Sequence, residues 1–129
     1  IKRHVIVDTM GSPHAIAVTT ADVTDRDGAI QMILLDLDNL SHVEKFLVDA
    51  GCSGQRFANQ VKDICGAQVE VVKRSELHKF VVPPRRWVAE RLFGWLDKFR
   101  RLWKNCEHKL YISAQILTFA LIAILIRRF

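Results

Sequence analysis

The hydrophobic and polar positions change period several times along the chain, and each change predicts an element. His4 to Asp8 and Ala15 to Thr20 are rich in β-branched residues, and Thr9, Met10, Gly11, Ser12 and Pro13 between them form turns. The two runs read as an antiparallel hairpin. Thr24 with Asp27 three residues on resembles a capping box, and Ile30, Ile33, Leu34, Leu37 and Leu40 continue as one apolar helical stripe. Phe46, Leu47 and Val48 form a short buried strand that stops at Asp49, and Gly51 and Gly54 mark the loop after it. A second helix is predicted over Gln55 to Cys65, a strand over Gln68 to Lys73, and a shorter strand over Phe80 to Val82.

Pro83 and Pro84 then end the extended segment and open a helix that runs to Trp103. One face of that helix carries Val88, Leu92, Trp95, Phe99 and Leu102; the opposite face carries Arg86, Glu90, Gly94, Asp97 and Arg101. The apolar tail from Ile116 to Ile126 is interrupted by Thr118 and falls short of the roughly 20 residues a membrane span needs. It is expected to be a buried helix closed by Arg127 and Arg128, with no membrane partner. Strands alternating with helices place the chain in the mixed α/β class, and 129 residues, half of them apolar, suffice for one domain with a core.

Charge changes this picture more than composition does. The net charge of +5 hides an asymmetry: residues 1–78 hold 8 basic and 11 acidic side chains, residues 79–129 hold 11 basic and 3 acidic. The basic half is the expected contact surface for a polyanion. Cys52, Cys65 and Cys106 are odd in number, widely spaced and without a C-x-x-C pair, which points away from a disulfide framework or zinc site and toward a reducing, cytoplasmic setting. The opening IKRHVIVD is too brief and too polar for a secretory signal, and Ile1, in place of an initiator Met, reads as a cut end.

Two acids draw attention. Asp49 stands at the carboxyl end of a predicted strand, where open α/β sheets place functional groups, and Glu90 stands on the basic helical face. Singly, each has a plainer role, Asp49 as a solvated turn residue and Glu90 as an ion-pair partner of Arg86. Together they are the kind of oxygen ligands that Mg²⁺ accepts, and ions so held stabilise the attacking and leaving oxygens of phosphodiester chemistry. Asp8 is read as a turn residue, and Asp22, Asp25 and Asp27 as helix-start acids. The tryptophans are read as packing residues. Arg85, Arg86, Lys98, Arg100 and Arg101 concentrate positive charge beyond what a solvated helix carries and favour phosphate contact.

The segments KRHVIVDTMGSP, TTADVTDRDGA, LVDAGCSG and PPRRWVAERLFGWLDKFRRLWK resemble, in order and spacing, the catalytic domain of DDE transposases of bacterial insertion sequences. The resemblance implies a ribonuclease H-like mixed sheet flanked by helices, and three acids that bind two divalent ions, Mg²⁺ or Mn²⁺, for cutting and joining DNA ends. The family motif A-D-G-G-Y matches Val48 to Cys52 and makes Asp49 the second acid; R-R-W-V-x-E-R-x-F-x-W-L matches Arg85 to Leu96 and makes Glu90 the third. Arg86 is implied to contact DNA phosphate, with Arg85, Lys98 and Arg101 beside it.

The match departs from the family in two ways. The first catalytic Asp belongs to a strand upstream of Lys2, so the chain is expected to lack the first, central strand of the sheet, and Asp8 does not replace that acid. Cys52 stands where the family has an aromatic residue, and Asp97 where it has a basic one. The expected function is DNA transposition, incomplete in this chain, acting on transposon ends and target as a homo-oligomer; the alternatives are a non-catalytic DNA-binding remnant and a small membrane-associated protein. With the central strand gone, the hairpin is expected to pair directly with the strand near Val48 or to leave an edge open.

Overall fold

β1 (Lys2–Val7) and β2 (Pro13–Thr19) form the expected antiparallel hairpin, with Lys2 opposite Thr19 and Val5 opposite Ile16. Asp8 shapes its turn: Oδ1 accepts the N–H groups of Met10 at 2.9 Å and Ser12 at 3.0 Å, while Gly11 takes a φ of 90° that suits glycine. The structure, a computed structural model, describes residues 1–72 and 87–128. The strand read at Phe80 to Val82, the proline pair, Arg85 and Arg86 lie outside the described residues, as do the side chains of Trp87 and Trp103.

Alternation of side chains gives the hairpin two working faces. Val5, Val7, Ile16 and Val18 pack on a cluster of Leu92, Leu96, Leu102, Leu117, Ala120, Leu121 and Ile124 drawn from the C-terminal helices. On the other face Ile6 joins a second cluster of Ile33, Leu40, Cys52, Phe57, Val61 and Ala67, and His4 lies against Gly28.

Gly28 belongs to α1 (Asp25–Leu35), which begins where Thr24 Oγ1 accepts the N–H of Asp27 at 3.1 Å. Its buried residues are Gly28, Met32 and Ile33, whereas Leu34 is 55% exposed, contrary to the predicted stripe. The close approach of Gly28 to His4 fixes which side of α1 faces inward, and Leu34 falls outside that side. A break at Asp36 separates the single turn α2 (Leu37–Leu40).

β3 (Lys45–Val48), α3 (Gln55–Cys65) and β4 (Gln68–Val71) form a strand–helix–strand unit. The strands are parallel, Phe46 opposite Val69 and Val48 opposite Val71, so a crossover element is required between them. α3 has the predicted limits and ends at Gly66, whose φ of 74° and N–H to Lys62 carbonyl form a left-handed cap. β1–β2 and β3–β4 are two separate sheets among the described residues. The expected direct pairing of the hairpin with the strand near Val48 is therefore not what the chain does; the two meet through the side chain of Ile6, without a ladder.

Two elements, α4 (Trp87–Leu96) and α5 (Arg100–Trp103), replace the single helix expected to run to Trp103. The N–H groups of Lys98 and Phe99 bond to carbonyls three residues back and Phe99 is extended, which tightens and ends α4. Both Phe99 and Leu102 then join the same cluster.

α6 (Leu110–Arg128) is also longer than its apolar run suggested. Its polar positions do not stop it, because Ser113 Oγ donates to Asn105 Oδ1 at 2.8 Å and Thr118 Oγ1 to the Ala114 carbonyl at 2.8 Å. At 19 residues and a mean hydropathy of 2.0 it is long and apolar enough to cross a membrane, so the argument from length against a span does not hold. Nor is it buried all round: Ser113, Leu117, Ala120, Leu121 and Ile124 face inward, and Tyr111, Phe119, Ile122 and Ile126 face outward.

Candidate functional site

Asp49 follows the last residue of β3, at the carboxyl end of the parallel pair. Its Oδ1 accepts the N–H of Gly51 at 3.0 Å, and its carbonyl accepts the N–H of Cys52 at 3.1 Å. Those bonds fold residues 50–52 into a single tight turn, which holds the carboxylate beside Gly51. The start of α1 approaches from the other side. A Cβ on Gly51 would lie 2.6 Å from Asp25 Oδ2 and 3.2 Å from Asp49 Oδ1, so two carboxylates face each other across a residue without a side chain.

Lys2 offsets part of this charge, with Nζ 3.4 Å from Asp25 Oδ1 and 2.9 Å from the Val23 carbonyl. Arg26 Nε donates to the Ser53 carbonyl at 2.7 Å on the same rim. Cys52 reports the local field: burial, then the charges of Asp49 and Asp25, push its thiol up to about 11, against a smaller opposing pull from Arg26. Sequence reasoning assigned Asp25 only to the helix start. Its meeting with Asp49 is a contact between distant segments, and no local spacing announces it.

Glu90 lies exposed in the first turn of α4. That turn sits on the hairpin loop: Val88 Cγ1 and Arg91 Nη2 come within 3.6 and 2.7 Å of a Cβ position on Gly11, and Arg91 Nη2 donates to the Met10 carbonyl at 3.3 Å. Lys2, beside Asp25, marks the opposite end of the same strand. Ile6, near the turn end of β1, packs on the cluster that includes Cys52. Of the expected DNA contacts, Lys98 is exposed just after α4, and Arg101 is exposed but bound to Glu107 Oε1 at 2.7 Å.

Two small sheets with packed helices and a carboxylate at a strand end define a mixed α/β domain with an acidic rim on one side and a basic helical half on the other. Transposase DDE domains match residues 1–125, and the chain belongs to that family. It is 28% identical over 123 residues to the transposase assigned to insertion sequence element IS402 of Burkholderia cepacia, covering 90% of this chain and 58% of that protein. The chain therefore spans somewhat more than half the length of that relative. No solved structure matches it.

Membership implies a ribonuclease H-like fold, and DDE transposases generally use a divalent metal. Among the described residues no three His, Cys, Asp or Glu side chains are grouped to hold a metal.

Proposed function

We propose that the chain serves in DNA transposition by Mg²⁺- or Mn²⁺-dependent phosphodiester cleavage and strand transfer, and that it is catalytically incomplete alone. Asp49 and Glu90 are the acids it contributes; Arg85, Arg86, Lys98 and Arg101 contact DNA phosphate; the working form is a homo-oligomer acting on transposon ends and target in the cytoplasm. The observation that carries the reading is the division of the sheet. β1 pairs only with β2 and β3 only with β4 among the described residues, although Ile6 brings β1 beside the cluster that β3 packs on. A central strand between β1 and β3 would join the two pairs into one mixed sheet, with Asp49 at its carboxyl edge.

DNA binding by the intact chain tests the reading. A labelled duplex is expected to bind with an affinity that falls steeply with salt, as phosphate contacts require. Absence of binding at low salt would remove the basis for a role in transposition.

A second reading, a DNA-binding remnant without catalysis, is favoured by the lack, among the described residues, of three side chains grouped to hold a metal. Titration with Mg²⁺ or Mn²⁺ separates the two, because only the first makes DNA affinity respond to the ion through Asp49. An equal response in Asp49→Asn would support the remnant.

A further inference from the structure

Two apolar faces are left uncovered, and they lie on opposite sides of the hairpin. α6 turns Leu117, Ala120, Leu121 and Ile124 inward, into the cluster that receives Val5, Val7, Ile16 and Val18, while α1 sets Gly28 against His4 on the other face of the same strands. The outer side of α6 then presents Phe119, Ile122 and Ile126, which are 71%, 46% and 78% exposed and recur at steps of three and four residues that put them in one stripe. The outer side of α1 presents Leu34 and Leu35, 55% and 80% exposed. Apolar side chains exposed singly are ordinary, but a group of them rimmed by polar residues marks an interaction surface.

The charges around the two faces are opposite in sign. α6 holds no acid, and the exposed bases Lys109 and Arg127 stand at the two ends of its stripe. On the other helix, Asp27 lies two turns before Leu34 and Asp38 lies one turn after it, both exposed, with the exposed Gln31 between Asp27 and the leucines. Two copies of α6 packed on each other would bring Arg127 beside Arg127 when parallel and beside Lys109 when antiparallel, and two copies of α1 would oppose acids. Pairing α6 with α1 is the combination in which apolar centres meet and the charges attract. An anionic lipid surface would suit α6 but leave Leu34 and Leu35 in water. One chain cannot make the contact with itself, since the hairpin stands between the two helices.

We propose that α6 of one copy of this chain docks on the outer side of α1 in a second copy, with Phe119, Ile122 and Ile126 covering Leu34 and Leu35, and Lys109 and Arg127 facing Asp27 and Asp38. The contact is heterologous: each copy offers a different face to each neighbour, so association continues into a ring or an open row and does not stop at a symmetric pair. It gives surfaces to the homo-oligomer of the transposition reading, on which it rests only for the expectation that copies associate. Its test contains no DNA, so the two fail separately.

The test is the mass of the full chain by light scattering over a concentration series. The wild-type mass is expected to rise with concentration beyond twice the 14.8 kDa of one chain. Phe119→Gln/Ile126→Gln and Leu34→Gln/Leu35→Gln change exposed side chains, and each is expected to keep the fold by circular dichroism and to stay at the mass of one chain. An equimolar mixture of the two is expected to reach twice that mass and no more, because each supplies the face the other lacks. A wild type that is monomeric throughout overturns the proposal, as do association unchanged in both variants and a mixture that stays monomeric. Association lost in the α6 variant but kept in the α1 variant assigns an α6–α6 pair and also overturns it. So does a monomeric wild type that binds anionic phospholipid vesicles and loses them in Phe119→Gln/Ile126→Gln, which assigns that face to lipid. Should either double variant unfold, Arg127→Glu at the exposed helix end decides: association weakened several-fold supports the contact, and association equal to wild type overturns it.

Discussion

Replacing Gly28 with alanine tests how α1 is layered on the hairpin. In an ordinary helix interior this change stabilises by about 1 kcal/mol, since alanine is the better helix former. Here the new methyl would lie 2.4, 2.6 and 2.7 Å from Cε1, Nε2 and Nδ1 of His4. The obstacle is a ring whose Nε2 is 2.8 Å from Thr19 Oγ1, and Thr19 is buried, so the ring cannot swing aside without stranding that hydroxyl. Overpacking of this kind costs about 1–3 kcal/mol, and a stranded buried hydroxyl costs about 1–3 kcal/mol more. Gly28→Ala is therefore expected to destabilise by about 1–5 kcal/mol after the helix gain is deducted. In a His4→Ala background the ring is absent, and the same change should stabilise by about 0.5–1 kcal/mol. The coupling between the two sites, about 1.5–6 kcal/mol, is measured by a double-mutant cycle in urea, followed by tryptophan fluorescence. Equal stabilisation by Gly28→Ala in both backgrounds would refute the packing of α1 on the His4 face.

Other expectations follow from the same packing. Leu117 is fully buried between α6 and its neighbours, so Leu117→Ala should cost about 2–5 kcal/mol in the same urea assay. His4 is held below its ordinary pKa, first by burial and also by Lys2, with Asp25 opposing. Its unfolded form takes up a proton more readily, so its contribution to stability is complete above about pH 6.5 and is lost as pH falls below that value. A melting-temperature series should show that loss in the wild type and a flatter profile in His4→Gln. Cys106 is exposed while Cys52 is buried with its thiol pushed up to about 11, so a thiol reagent at mildly alkaline pH should label Cys106 well before Cys52, and urea should abolish the difference.

Elements set by local chemistry were legible in the sequence. The hairpin with its Asp8 turn, the Thr24 cap and the limits of α3 each depend on residues within a few positions of one another. Departures came from contacts between distant segments. Leu34 is exposed because His4, far away in sequence, selects the face of α1, and α4 stops because Phe99 is needed in a core built with α6. The motif reading picked out Asp49 and Glu90. It could not place Asp25 beside Asp49, since that meeting depends on how α1 docks. The gap between β1 and β3 is likewise a matter of pairing, which hydrophobic alternation within single strands does not specify.

The most direct test of the central claim is a nicking and strand-transfer assay on supercoiled DNA with the chain alone in Mg²⁺ or Mn²⁺. The account predicts that the chain binds the DNA and leaves it uncut, because among the described residues no strand joins the β1–β2 pair to the β3–β4 pair that carries Asp49. Cleavage by the wild-type chain that disappears in both Asp49→Ala and Glu90→Ala would contradict it, showing that these residues assemble a working centre without a further strand.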